Sequence, residues 1–549
     1  MAALALAGYL LVSFLYFGLP VAAHPGRMAV GSDNDPKLFI WMFAWWPHAI
    51  AHGLNPIHTN AIWSPSGYDL AWATSIPALA LVFAPLTVLA GPVVAFNAAA
   101  IVLPAAAAWT AFLLCRYLTR SVPAALAGGY LFGFSSYMLG HEEGHMHLTA
   151  VFLVPLLVLV LLRGLRGELG RRAVAVRVGV LLAVEAAIST EVLATMTLAL
   201  VVGALLAYGL VPSFRLPARS VAGPVAIGYG LAALLASPIL YYALTDFISG
   251  RFGPTGMFVA DAENLVVPTD ASAFGGASTA HIAARFSGNE LEQTVYFGVP
   301  WLVLLAVFFV ERRRDPAARF LLAAFAVSLV AAFGSGLHVG GRRVMALPWA
   351  LVANLPVFDN TYPERLTLYA TLAAAVAVAL WISSTRSALW LRVALPLVVL
   401  VSIAPHLGAH RFDEKLDVPA FVGSGDYKRC LAPNENVLAL PYGYMGSSTL
   451  WEALSGFHFR LAGGEVGIWI PRSFGGPIVS ELRFDEIPPD EGSAVVAFAR
   501  RKKVTAILVD PKDPVDWSYL LAFTGKPVDV GGLRLFRIGG AAPDPAACR

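Results

Sequence analysis

The chain returns repeatedly to apolar runs of about 17–25 residues, the length a helix needs to cross the roughly 30 Å hydrocarbon layer of a bilayer. Runs at 3–23, 93–115, 122–139, 148–163, 174–190, 192–211, 221–245, 295–310, 317–334, 364–383 and 389–408 are read as spans. Inside lipid only helices and closed barrels satisfy every backbone N–H and C=O, so runs of this length predict a polytopic helical membrane protein. Composition agrees: 58% of residues are hydrophobic and only 13% are charged, against roughly 45–50% apolar in soluble proteins. The net charge of +3 is small, and the arginines cluster in short loops between runs. That is a topology signal and excludes a nucleic-acid patch.

Topology follows from where those arginines lie. Arg116 and Arg120, Arg163 to Arg177, Arg215 and Arg219, Arg312 to Arg319, and Arg386 and Arg392 fall in one set of loops. The opposite set, 140–147, 246–293 and 335–363, is acidic or neutral and rich in Gly, Pro and His. The positive-inside rule puts the first set in the cytoplasm and the second outside. One more apolar run, 73–92, contains Pro77, Pro85 and Pro92, which break or kink helices. If it does not span, residues 24–92 form one long external loop and about 11 helices cross the membrane. If it does, residues 24–72 are cytoplasmic and 12 cross. Arg27 and Lys37 against Asp33, Asp35 and Asp69 do not decide between these; the prolines favour the first. The N-terminal run lacks a basic leader and reads as a retained span.

Beyond the last run the character changes. Residues 436–441, 504–510 and 533–538 read as strands and 493–501 as a helix. We therefore expect a transmembrane domain over 1–411 and a small extracytoplasmic α/β domain over 412–549, in a plasma-membrane or inner-membrane protein. Cys430 and Cys548 flank that polar region. In an exported domain they could join; two unpaired thiols fit the sequence equally well. The spacing of the three cysteines matches no metal site.

The polar residues that remain are candidates for chemistry. Gly31-Ser32-Asp33-Asn34-Asp35-Pro36 places two carboxylates just outside the first span. Either Asp33 or Asp35 could act as a general base, although Asp-Pro also opens helices, so Asp35 could simply cap. The aromatic run 37–52 behind it is expected to lie along the membrane surface. The stretch 140–147 holds His141, Glu142, Glu143, His145 and His147. This set suits a divalent metal, a diphosphate or sugar hydroxyls, but lacks the His-Glu-x-x-His order of zinc hydrolases. A polar interface turn is the plain alternative. Glu191 opens a span, where a charge needs a partner or a function, and Glu185 lies two turns earlier. Asn289 and Glu290 end a long loop that could close over substrate or act as a spacer. Arg365 suits a phosphate leaving group, or could merely snorkel. All of these fall on one side of the membrane in the 11-span topology.

In these features the chain resembles the GT-C superfamily of integral-membrane glycosyltransferases, which use polyprenyl-phosphate-linked sugars. The likeness covers roughly residues 1–410. It rests on the acidic motif 31–36 in a long first external loop and on the polar motif 141–147 in the next. The runs Trp45-Trp46-Pro47-His48-Ala49 and Gly53-Leu54-Asn55-Pro56 look like a bacterial branch of that superfamily. The resemblance implies inverting transfer with a first-loop aspartate, Asp35 or Asp33, as base. It implies a polyprenyl-phosphate sugar donor, a glycan, lipid or protein acceptor, and a site against the bilayer. His141, Glu142 and His145 stand where such enzymes often carry a carboxylate pair, sometimes around a divalent metal. No other cofactor is implied, and no nucleotide or Walker motif is present. A flippase or transporter of lipid-linked glycans, a glycan ligase and a non-catalytic membrane scaffold remain as alternatives.

Overall fold

The computed structural model describes residues 1–32, 34–245, 256–355, 358–384, 387–467, 469–484, 492–513, 515–538 and Cys548. Six of its helices are long and apolar enough to cross a membrane: Ala2–Val21, Pro92–Thr119, Met146–Leu165, Thr190–Leu210, Pro212–Leu235 and Pro363–Ser384. Val122–Gly133, Gly298–Glu311, Pro316–Ala332 and Leu389–Ser402 are apolar but shorter. The expected run of eleven full spans therefore resolves into helices of mixed length. The 122–139 run shows why. Its helix stops at Gly133, and a new one, Ser136–Glu142, starts where Ser135 Oγ accepts the Met138 N–H, the usual serine cap. Arg171–Ala186 carries Arg171, Arg172, Arg177 and Glu185 and falls outside both apolar groups.

The proline-rich run 73–92 is not one span. It forms two short helices, Pro77–Val82 and Ala84–Ala90, of six and seven residues, each with a proline in its first turn. At 1.5 Å per residue neither approaches the thickness of a bilayer.

Residues beyond 412 build a five-stranded mixed sheet, in spatial order Val528–Val530, Leu533–Arg537, Ala506–Val509, Asn436–Leu440, Arg460–Leu461. Asn436–Leu440 runs parallel to both of its neighbours; the other pairings are antiparallel. Cys430 and Cys548, both buried, are joined across 118 residues, with Cα atoms 5.0 Å apart.

The sheet is stitched to the long loop after the first helix. Met28–Ala29 pairs antiparallel with Glu414–Lys415. Residues 61–64 run along the Arg460–Leu461 edge, with Leu461 N–H donating to Ala61 (2.7 Å) and Ser64 N–H to Leu461 (2.9 Å). A sheet edge that would otherwise stand open is thereby covered.

Between sheet and membrane helices lies Asp35–Ala51. Its aromatic run was expected on the membrane surface; the structure corrects this. Phe39 to Trp46 are all buried, none above 8% exposed. They pack against Ser448–Leu454 on one side and Pro77–Val82, Ala84–Ala90 and Pro92–Thr119 on the others. The reason is the pattern itself. An interfacial helix needs a polar face, whereas residues 38–46 are apolar all round, and a helix of that kind is covered on every side. Burial of each large side chain is worth on the order of 1.5–3 kcal/mol. The indole N–H groups find protein acceptors: Trp41 donates to Glu452 Oε2 (2.7 Å), Trp45 to Pro56 O (3.0 Å) and Trp46 to Ser75 O (2.8 Å).

Glu452 is fully buried, with Oε1 lacking a hydrogen-bond partner. Burial pushes its carboxyl well above the usual carboxylate range, against the opposing pull of the Trp41 bond and Arg460. A raised folded-state value means the folded chain holds this proton more tightly than the unfolded chain. The contribution is fully present below about pH 4.5 and is lost as pH rises towards the folded value. Glu452→Gln keeps an acceptor for Trp41 and has no proton to lose. The variant is expected to melt at least as high as wild type at pH 8, with the difference shrinking towards pH 5. A pH-independent difference in melting temperature would refute this account.

Candidate active site

Five segments converge on one buried polar cluster. The Asp35–Ala51 helix brings Asp35 in its first turn, with Asn34 at the N-cap and Pro36 behind it. The N-cap position belongs to Asn34, whose side chain makes no cap hydrogen bond, and not to Asp35. The Asp35 Oδ2 faces His145 Nε2 at 3.6 Å, with a quarter of the side chain exposed. A carboxylate there is also favoured by the helix dipole. The second segment, 141–147, supplies His141 and His145 with Nδ1 atoms 3.1 Å apart. His145 Nδ1 lies 3.6 Å from Glu292 Oε1, at the end of the short turn Glu290–Glu292.

Arg365 sits at the centre of the negative charge. Its Nε donates to both Glu292 oxygens, at 3.1 and 3.2 Å, Nη2 pairs with Glu292 Oε1, and Nη1 pairs with Glu191 Oε2. The Tyr362 ring lies beneath the guanidinium, 4.4 Å from centroid to Cζ, a cation–π geometry. Neighbouring Glu364 is fully buried and accepts from Thr294 N–H (2.9 Å) and from Thr294 Oγ1. Glu292 is nearly dry, at 2% side-chain exposure. Burial alone would raise its carboxyl, but Arg365 and His145 outweigh burial and hold it below the ordinary range. Burial, reinforced by His145 and Arg365, holds His141 well below the usual imidazole value, so its ring is neutral at pH 7.

A neutral imidazole and an ionised carboxylate are ligands a divalent cation binds. Ligand atoms of His141, His145 and Glu292 all lie within 4.8 Å of one another, and His141 Nε2 is buried with no hydrogen-bond partner. The residues present therefore fit such an ion.

Of the residues singled out in the sequence, Asp35, His141, His145, Glu191 and Arg365 come together, and Asp33 lies outside the described residues. Three do not join the cluster. Asn289 Oδ1 accepts the Glu292 N–H (3.2 Å) and so caps the turn. Glu290 is half exposed and pairs with Arg411. Glu142 is buried, with neither carboxylate oxygen hydrogen-bonded. Sequence reasoning missed Glu292 and Glu364 as site residues. The signal was present: each is the acidic residue nearest the start of an apolar run, where the helix end draws it out of water.

The chain has the GT-C fold of integral-membrane glycosyltransferases. It is similar to arabinofuranosyltransferase AftD from Mycobacteria, with a TM-score of 0.58 and 16% identity, over 98% of this chain and 40% of that one. It is also similar to the oligosaccharyltransferase AglB from Archaeoglobus fulgidus (0.51, 12%, 98% of this chain and 74% of that one). A third likeness is to ArnT from Cupriavidus metallidurans (0.50, 12%, 99% and 98%). The chain thus spans well under half the length of the mycobacterial protein. By sequence it belongs to the family described as "Domain of unknown function (DUF6311)", matched over residues 5–404. No curated protein matches it.

Replacing Glu292 by Gln leaves Arg365 with Glu191 alone in a nearly dry site. Removing one partner of a buried pair typically costs about 3–5 kcal/mol. Glu292→Gln is expected to lower the melting temperature in detergent clearly. Glu191→Gln, at a carboxylate 22% exposed, is expected to lower it less. The reverse order would show that Glu191, not Glu292, is the main counter-charge.

Proposed function

We propose that the chain transfers a sugar from a polyprenyl-phosphate donor to a cell-envelope glycan, lipid or protein acceptor, with inversion. The reaction takes place on the extracytoplasmic face of the plasma membrane. The observation that carries this reading is the Asp35–His145 pair: a partly exposed carboxylate held by an imidazole at the mouth of an otherwise buried charge cluster. Asp35 takes the proton of the acceptor hydroxyl as its oxygen attacks the anomeric carbon. The bond to the donor phosphate breaks on the opposite face, and its electron pair leaves with the phosphate oxygen. His145 Nε2 orients the carboxylate. Asp33 remains the second candidate for base.

Arg365 was assigned to the leaving phosphate on sequence grounds. Its guanidinium already faces two carboxylates, so we give it the task of holding Glu292 and Glu191. An anionic donor beside Asp35, Glu292 and Glu191 calls for further positive charge. A divalent cation on His141, His145 and Glu292 would supply Lewis-acid stabilisation of the departing phosphate. Lipid-phosphate use is supported by the fold likeness to AglB, whose structure was determined with a dolichol-phosphate. The joined Cys430 and Cys548 and the arginine-bearing loops on the opposite side favour an extracytoplasmic site.

Asp35→Asn is expected to lower kcat by about 10²–10⁴-fold, with donor KM little changed. The assay uses proteoliposomes and a panel of polyprenyl-phosphate pentoses and hexoses. Full activity in the variant would remove Asp35 as the base. A reporter fused at Leu118 is expected to report the cytoplasm; an external reporter there would reverse the sidedness.

A further inference from the structure

Behind the cluster, the loops that carry it meet at one buried carboxylate. Glu143 is fully buried. Its backbone carbonyl accepts the Ser32 N–H (2.9 Å), and Ser32 Oγ donates to Glu143 Oε2 (3.3 Å). Gly31 runs so close, at φ +116°, that a Cβ there would lie 2.5 Å from the same carbonyl oxygen. The Glu143 carboxylate is in turn gripped by Arg411, with Nε donating to Oε1 at 2.8 Å and Nη2 to Oε2. The third arm of that guanidinium, Nη1, pairs with Glu290.

These contacts fall at telling places in the chain. Ser32 precedes Asp35 by three residues, Glu143 precedes His145 by two, and Glu290 precedes Glu292 by two. Arg411 itself lies between the last apolar helix and the Glu414–Lys415 strand, which pairs with Met28–Ala29. One planar fork, whose geometry a lysine cannot copy, therefore touches the segments leading to His145 and Glu292 directly, and the segment leading to Asp35 through Glu143.

We propose that Arg411 is a positioning residue for the transfer reaction, fixing Asp35, His145 and Glu292 in mutual register and coupling that register to the docked sheet. The proposal rests on the reading of Asp35 as the base. Without the guanidinium, the Glu143 carboxylate loses the two donors that hold it in place, and the link from Ser32 through Glu143 to Glu290 is broken. A displacement of about 1 Å at the reacting groups can lower the rate roughly 10²-fold.

The test uses the full chain in lipid nanodiscs. In Arg411→Met, amide exchange is expected to rise together in peptides covering 28–35 and 286–294, while the strand Asn436–Leu440 stays protected. With the donor panel above, kcat is expected to fall about 10²-fold with KM nearly unchanged. Arg411→Lys is expected to recover only part of the rate. Wild-type exchange in 28–35 would overturn the proposal. So would equal loosening of Asn436–Leu440, which would make Arg411 merely structural. If Asp35→Asn is fully active, the base assignment fails; the exchange result then still decides whether Arg411 registers the loops.

Discussion

A helix with no polar residue from Leu38 to Trp46 has to be covered on every side, and most of this structure is the means of covering it. Membrane-facing helices can cover only part of its circumference. The remainder is closed by Ser448–Leu454 and the sheet behind it. This explains why the sheet follows the membrane helices in the chain yet packs back onto the first loop. It also explains the backbone pairing of residues 28–29 with 414–415 and of 61–64 with the sheet edge. The same helix carries Asp35 in its first turn. Covering its apolar body and placing its acidic end are one structural problem.

The second constraint is electrostatic. Glu191, Glu292 and Glu364 come together with a single arginine, Arg365, where water is nearly excluded. Ionisable groups at the ends of membrane helices are expensive and persist where they are paired or functional. Here the first condition holds in part. Arg365 satisfies Glu292 almost completely and Glu191 through one arm, while Thr294 satisfies one oxygen of Glu364. Three carboxyl groups thus share one guanidinium beside His141 and Asp35.

Much of this was legible in the chain. The length of the apolar runs announced the membrane class, because lipid leaves the backbone few alternatives. Pro77, Pro85 and Pro92 announced that 73–92 is not one span, because each removes a backbone donor. Asp35, His141, His145, Glu191 and Arg365 stood out because charges beside apolar runs need reasons. What misled was composition without periodicity. The aromatics of 37–52 suggested a membrane surface, but only the absence of a polar face, residue by residue, shows that the helix is enclosed. Asn289, Glu290 and Glu142 could not be separated from Glu292 by type. Their different fates depend on which side of a short turn faces the core, which distant segments decide.

Arg365 and Arg411, both half-buried, are anchored in different parts of the structure. Arg365 opens a membrane helix and pairs within the cluster, so its position is set by the membrane part. Arg411 follows the last apolar helix and leads into the sheet, so its position is set by how the sheet docks. On the proposal above, the candidate active site needs both of them seated. Glu290 and Glu292 show the connection directly: two residues apart, one answers to Arg411 and the other to Arg365. A shift of the sheet against the membrane helices would pull this short turn between the two guanidinium groups. The His145–Glu292 contact that borders Asp35 would then change before any membrane helix had to move.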